Sequence, residues 1–408
     1  MATIGNKLHV VVAPVGTLGD LLPAAAIAHA LAARGHHVEM VVHEYFLPFV
    51  PDGVATIAYG DAAQYARDLA DKRMLDLAHP MITEVLVAPS VLPQFRAVEA
   101  AVAKHGRRNV VVLGPGSSVG AMWGARCCGA LSIGLISAPP VFAIYQMPRP
   151  VSDGVVRAAF RAAGISPLPP PVYDPERRFS GDFSLEFDYW LEMYPAWFAP
   201  SGAPRADNLL TGTFPLKSSS HIVEEAQRFA ADGPAPWVFF PGTGGALRKA
   251  CPDFNDLVRE ACERSGRRGI VLDRTQPEAF RRYSDLVAGV RFTNLDALLP
   301  LSRGLLHHGG VGASSQGLVY GIPQVVVPVS FDQPGNAAWL EAAGVAVTCA
   351  PPELNCERLQ SMLTAAEALP PAPLQRYAEL LRSEGGAAGL AEKVEAVALR
   401  RALEAVPA

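Results

Sequence analysis

Two histidines and three glycines fall within the six positions 307–312 of the stretch LLHHGGVGASSQGLVYGIPQVVVPVSFDQPGNAA (305–338), and Asp332-Gln333 follow an apolar run. Glycines at the end of a buried strand, feeding a helix, let a phosphate approach backbone N–H groups and the positive helix end. Gly310 and Gly312 are in that position, and His308 adds a hydrogen-bond donor. On the same residues a plainer reading stays open, in which the glycines shape a tight turn and one His packs. FFPGTGGA (239–246) is a second glycine-rich turn after a strand, with the Thr243 hydroxyl in reach of a phosphate. Two such turns point to a diphosphate. The carboxylate and amide of Asp332 and Gln333 suit the hydroxyls of a sugar it carries.

These residues need elements to hold them. The 408 residues are too many for one ordinary core and suit two domains. Half are hydrophobic and 18% are charged, as in a well-buried enzyme rather than a disordered chain. A net charge of -4 with dispersed arginines argues against nucleic-acid partners. Six cysteines without a C-x-x-C argue against a zinc or redox motif, and as reduced core thiols they suggest a cytoplasmic protein. LHVVVAPV near the start is too short for a signal peptide, and no run reaches the roughly 18 unbroken apolar residues of a membrane span. Any membrane contact is then peripheral.

β-branched runs alternate with Ala-rich helical patterns, which predicts parallel sheets with crossover helices. One unit is LHVVVAPV (8–15), helix 21–35 and strand HVEMVVH (37–43); NVVVLGPG (109–116) with helix 119–130 opens another. The pattern restarts with WVFFPG (237–242), helix 253–265, GIVLD (269–273), GLLHHGG (304–310), helix 312–320 and PQVVVPV (323–329). Between 139 and 205 proline is dense and loops with short helices are expected. The prediction is an N-terminal domain over 1–205, a linker over 206–222, a C-terminal domain over 223–380, and a final helix within 381–408 returning to the N-terminal domain.

H-H-G-G-x-G, G-x-P and D-Q-x-x-N-A resemble the nucleotide-sugar signature of family 1 glycosyltransferases with the GT-B fold, and PGT (241–243) resembles their first phosphate loop. YPAWFAP (194–200), TGTFPL (211–216) and GTLGDLLPAAAIAHALAARGHHV (16–38) are similar to bacterial rhamnosyltransferases of rhamnolipid synthesis and related natural-product enzymes. The resemblance spans the chain and is weakest over 60–105 and 140–190. It implies an α/β fold of two doubly wound Rossmann-like domains facing across a cleft. The first would take the acceptor and the second the nucleotide-sugar. It also implies that His308, Gly310 and Gly312 hold the diphosphate, Thr243 its β-phosphate side, and Asp332 with Gln333 the sugar. The base would lie on VRFTNLDALLP (290–300) against Phe292, although Asn294 replaces the family's usual proline. Gln316 stands where plant members use Glu for the ribose hydroxyls; an amide grips them less, so dTDP is as plausible as UDP. Arg274 would add charge to the diphosphate, or else is a surface arginine.

A neutral hydroxyl needs a base to attack an anomeric carbon. Plant relatives use a His after a Gly, backed by an Asp; here Asp20 follows Gly19, and no carboxylate lies between 110 and 125 to support a histidine. Asp20 as a lone base would give inverting, metal-independent transfer with no cofactor beyond the donor; the rival reading is a helix N-cap. For the acceptor, AHPMITEVLVAPSVLPQF (78–95) and ISAPPVFAIYQMP (136–148) carry few charges, which predicts a small apolar molecule with one hydroxyl, a lipid or secondary metabolite. Three alternatives remain. An oxidoreductase is opposed by Pro14 at the first glycine of the dinucleotide fingerprint. A nucleotide-sugar 2-epimerase would share the architecture, and a non-catalytic partner protein would be expected to lack His308 or Asp332.

Overall fold

The computed structural model describes residues 7–75, 79–139, 149–168, 187–199, 208–215, 223–291 and 295–404. The chain divides into two compact units, Met1–Pro215 with Gly385–Ala408, and Leu216–Glu384.

The first unit holds a seven-stranded parallel sheet: β1 (His9–Val12), β2 (His37–His43), β3 (Ala55–Tyr59), β4 (Val110–Pro115), β5 (Leu131–Ile136), β6 (Tyr189–Glu192) and β7 (Leu209–Leu210). Their order is β3-β2-β1-β4-β5-β6-β7, so the winding reverses between β1 and β4. Val10, Val11 and Val12 of β1 are fully buried because helices cover both faces of the sheet. The helix Leu18–Ala33 crosses from β1 to β2, and its Leu21, Ile27 and Leu31 pack on one face. The last helix, Gly386–Glu404, packs beside it through Leu390, Val394 and Val397, with Arg34 making a bidentate 2.7 Å pair to Glu395. Each such aliphatic contributes roughly 1.5–3 kcal/mol by burial.

One run, Thr83–His105, is long and apolar enough by length and composition to cross a membrane, where no span was expected. Its residues explain it as a core element: Val91, Phe95, Ala97 and Val98 are buried. It lies close against Val119–Cys128, since a Cβ on Gly120 would come 2.2 Å from the Val91 carbonyl oxygen. That burial narrows the acceptor expectation for 78–95, whose Val91, Gln94 and Phe95 face the core while Leu92 is exposed. Of the second stretch, residues 140–148 lie outside the described residues.

The second unit repeats the design with β8 (Trp237–Phe240), β9 (Gly269–Leu272), β10 (Phe280–Arg282), β11 (Val287–Val290), β12 (Gly304–His307), β13 (Gln324–Val326) and β14 (Ala346–Thr348). Their order is β10-β11-β9-β8-β12-β13-β14, with only the edge strand β10 antiparallel. The reversal lies between β8 and β12. Open α/β sheets bind ligands beyond the carboxyl ends of the strands at such a reversal. Both glycine-rich turns leave the sheet there. Cys251, Cys262 and Cys349 are buried thiols as expected, but Cys127 is exposed because it lies on the outer side of the helix Val119–Cys128.

Candidate active site

After β12 the chain turns through Gly309, at φ 85°, a conformation that L side chains rarely adopt. His307 is buried and anchors the turn: its Nδ1 accepts from the Gly309 N–H at 3.0 Å, so its Nε2 donates to Gln324 Oε1 at 2.8 Å. Of the two histidines, this is the structural one. His308 points the other way. Its Nδ1 is buried with no hydrogen-bond partner among the described residues, and its ring stands edge-on to Phe240 at the end of β8, 5.9 Å between centroids. Burial pushes its imidazole down to about 4, so at neutral pH it is uncharged and offers one N–H and one lone pair.

The two turns meet at this ring. A Cβ on Gly242 would come 3.0 Å from His308 Nδ1, and one on Gly310 would come 2.6 Å from Nε2, so only bare backbone fits on either side. Gly310 begins the helix Val311–Tyr320 with no side-chain cap, which leaves its first N–H groups for a ligand. Nothing lies within 4 Å of the Cβ direction of Gly312. Thr243 follows Gly242, and Arg274, just past β9, donates from Nη1 to the Thr243 carbonyl at 3.5 Å. Arg274 therefore stands beside the glycine-rich turn that follows β8. Gln316 lies on the Val311–Tyr320 helix with its Oε1 buried and without a hydrogen-bond partner among the described residues.

Asp332 begins the helix Gln333–Ala342, directly after Phe331, which adopts φ 61°. A non-glycine residue there is strained, and it re-aims the chain so that Asp332 and Gln333 turn toward the His-Gly loop. Gly309 touches Gln333, whose backbone oxygen would lie 3.1 Å from a Cβ at 309. Fully buried Asn336 ties the two segments, donating to the Gly309 carbonyl at 2.9 Å and to Asp332 Oδ2 at 2.6 Å. Asn336 was not among the expected site residues, although its i, i+4 spacing from Asp332 signals the contact. For Gln333 the expectation narrows. Its Oε1 accepts from the Val329 and Ser330 N–H groups at 2.9 and 3.1 Å, so what it retains for a sugar is its NH2. Phe292 and Asn294 lie outside the described residues.

Asp20 belongs to the first unit. The helix that was expected to begin after it begins at Leu18, and Thr17 is the N-cap. Asp20 is thus in the first turn and closes a capping box: its Oδ2 accepts from the Thr17 N–H at 2.7 Å and from the Thr17 hydroxyl at 3.3 Å. Burial raises its carboxyl above the usual range in spite of these bonds. Raised basicity is what a general base requires.

Comparison with known proteins agrees with this layout. Residues 10–111 match the glycosyltransferase family 28 N-terminal domain, and 268–393 match the C-terminal domain of the erythromycin biosynthesis protein CIII-like group. An uncharacterized glycosyltransferase of Mycobacterium tuberculosis is 27% identical over 366 residues, 81% of this chain and 84% of the relative. The glycosyltransferase of kitacinnamycin superposes with a TM-score of 0.70 at 19% identity, covering 96% of this chain and 99% of that one. A spinosyn rhamnosyltransferase complexed with thymidine diphosphate does so with a TM-score of 0.65 at 18% identity, covering 95% and 100%. With a glycosyltransferase N-terminal domain on one doubly wound sheet and a natural-product-type C-terminal domain on the other, the chain belongs to the GT-B glycosyltransferases.

Proposed function

We propose that this enzyme moves a sugar from a dTDP- or UDP-sugar onto a hydroxyl of a small apolar acceptor, a lipid or secondary metabolite, with inversion and without a metal. In this reading the acceptor oxygen attacks the anomeric carbon while its proton passes to Asp20. The bond from that carbon to the β-phosphate oxygen breaks, and the electron pair leaves on the diphosphate. His308, the N–H groups from Val311 onward and Arg274 stabilise that charge, as preorganised donors do for developing anions. Asp332 and the Gln333 NH2 orient the sugar. Thymidine diphosphate is supported as donor half by its binding to the spinosyn enzyme and by an amide, not a carboxylate, at Gln316. The scarcity of charge over 78–95, with Leu92 exposed within it, favours an apolar acceptor.

The observation that carries this reading is the partnerless Nδ1 of His308 beside an uncapped helix start. A test begins with thermal shift using dTDP, UDP and GDP, where a hundredfold excess over Kd stabilises by about 2.7 kcal/mol. The best nucleotide, as its sugar conjugates, is then offered β-hydroxyacyl lipids, flavonoids, macrolide aglycones and short oligosaccharides. Transfer to the apolar hydroxyls supports the reading. Turnover confined to the oligosaccharides, or epimer release without acceptor, overturns it.

A further inference from the structure

Tyr65 is almost fully buried in the helix Ala62–Ala70, far in sequence from Asp20, yet its hydroxyl donates to the carbonyl oxygen of Gly16. That carbonyl and the Thr17 N–H are the two ends of one peptide group, and the same N–H donates to Asp20 Oδ2 at 2.7 Å. In a planar trans peptide the C=O and N–H dipoles are aligned. A donor on the oxygen therefore polarises the N–H at the other end, and chained hydrogen bonds strengthen one another. Gly16 sits at φ 131° with its Cα against the carboxylate, since a Cβ there would lie 2.2 Å from Asp20 Oδ2.

We propose that Tyr65 is a positioning residue for the transfer reaction: through the Gly16–Thr17 peptide it fixes Oδ2 of Asp20 and so leaves Oδ1 as the oxygen that takes the acceptor's proton. This rests on the reading of Asp20 as the base. Tyr65 is held for the task by a stack on His43, 4.2 Å between centroids, and by the edge of Phe46 at 5.6 Å. Burial raises its phenol well above the ordinary value, so it remains a donor throughout any working pH range. The other titratable groups facing it are Tyr45 and Tyr59, with Glu44 and Asp61 beyond His43. Burial lowers the His43 imidazole and keeps it neutral at neutral pH.

The test compares Tyr65→Phe, Asp20→Asn and the double variant, each with pH profiles. Tyr65→Phe keeps the ring packing and removes the donor. It should lower kcat about two- to tenfold, the rate equivalent of one hydrogen bond, with the donor KM unchanged. The acidic limb of kcat/KM, which reports the free enzyme's base, should move to higher pH because the carboxylate loses stabilisation of its charged form. The limb is read on whatever protein is folded, so lost stability does not imitate it. On the Asp20→Asn background Tyr65→Phe should change the residual rate no further. If Asp20→Asn turns over like the parent, the base assignment fails. If Asp20→Asn is slow while Tyr65→Phe leaves the limb in place, whatever its kcat, the base stands and the relay through Tyr65 is wrong.

Discussion

His308 stands so close to Gly242 that no Cβ fits between them, although they leave the sheet on two strands separated in sequence by β9, β10 and β11. Gly242 holds φ 93°, and a Cβ there would stand 3.0 Å from His308 Nδ1. Gly242→Ala should therefore cost about 1–3 kcal/mol of stability through backbone strain and also displace the imidazole. Nucleoside diphosphate affinity, measured by titration calorimetry, should fall tenfold for about every 1.4 kcal/mol of lost site energy. Parent-like affinity would show that the ring gives way freely and that its position is not set by the glycine.

Neutral histidines make a pH prediction. Burial holds His307 at about 3 and His308 at about 4, against about 6.5 for an exposed imidazole. Between those values the unfolded chain binds protons that the folded chain does not, so stability rises with pH there. The contribution is complete above about pH 6.5 and is lost progressively as pH falls toward 4. Tm should drop between pH 7.5 and 5, and drop less in His308→Gln. Asp20, whose carboxyl is raised, acts with the opposite sign but equally in both proteins, so the difference isolates His308.

Much of this site was legible beforehand because β-branched runs ending in glycine turns mark the strands that flank a sheet reversal. HVEMVVH was predicted with the bounds β2 has, and both glycine-rich turns follow buried strands as expected. β3 was missed because its ATIAY shows no buried alternation, β6 because its four residues lie within 139–205, where loops and short helices were expected, and β10 and β14 because three residues carry no period. The helix start at Leu18 was misread since Gly19 suggested a turn, although Thr17-x-x-Asp20 is a capping-box pattern. Contacts such as Tyr65 to Gly16 or Gly242 to His308 depend on which strands become neighbours. No local pattern encodes that.

The proposed function gives Asp332 the sugar and leaves the nucleotide to other groups. Asp332→Ala should weaken binding of the whole sugar nucleotide while free nucleoside diphosphate binds nearly as before. Asn336→Leu should behave differently, because it removes the donor of the buried Gly309 carbonyl and breaks the tie to Asp332. The orphaned carbonyl costs about 1–3 kcal/mol, and the His-Gly turn loosens, so both ligands should weaken. Competition binding with dTDP and a dTDP-sugar decides between them; equal losses in Asp332→Ala would place that carboxylate away from the sugar.

The capping box makes Asp20 a discriminating position, since its structural and chemical roles ask for different atoms. As a cap it needs only an acceptor for the Thr17 N–H, which an amide oxygen supplies; as a base it needs a group that can take a proton. Asp20→Asn should therefore keep the parent Tm and acceptor binding but lose about 10²- to 10⁴-fold in kcat, the usual weight of general base catalysis. Asp20→Ala should lose the same rate and in addition about 1 kcal/mol of stability, as removal of a helix cap does. Calorimetry of both variants beside single-turnover transfer rates separates the roles. A slow and equally destabilised pair would make Asp20 a structural cap, and the search for the proton acceptor would then pass to another group of the first unit.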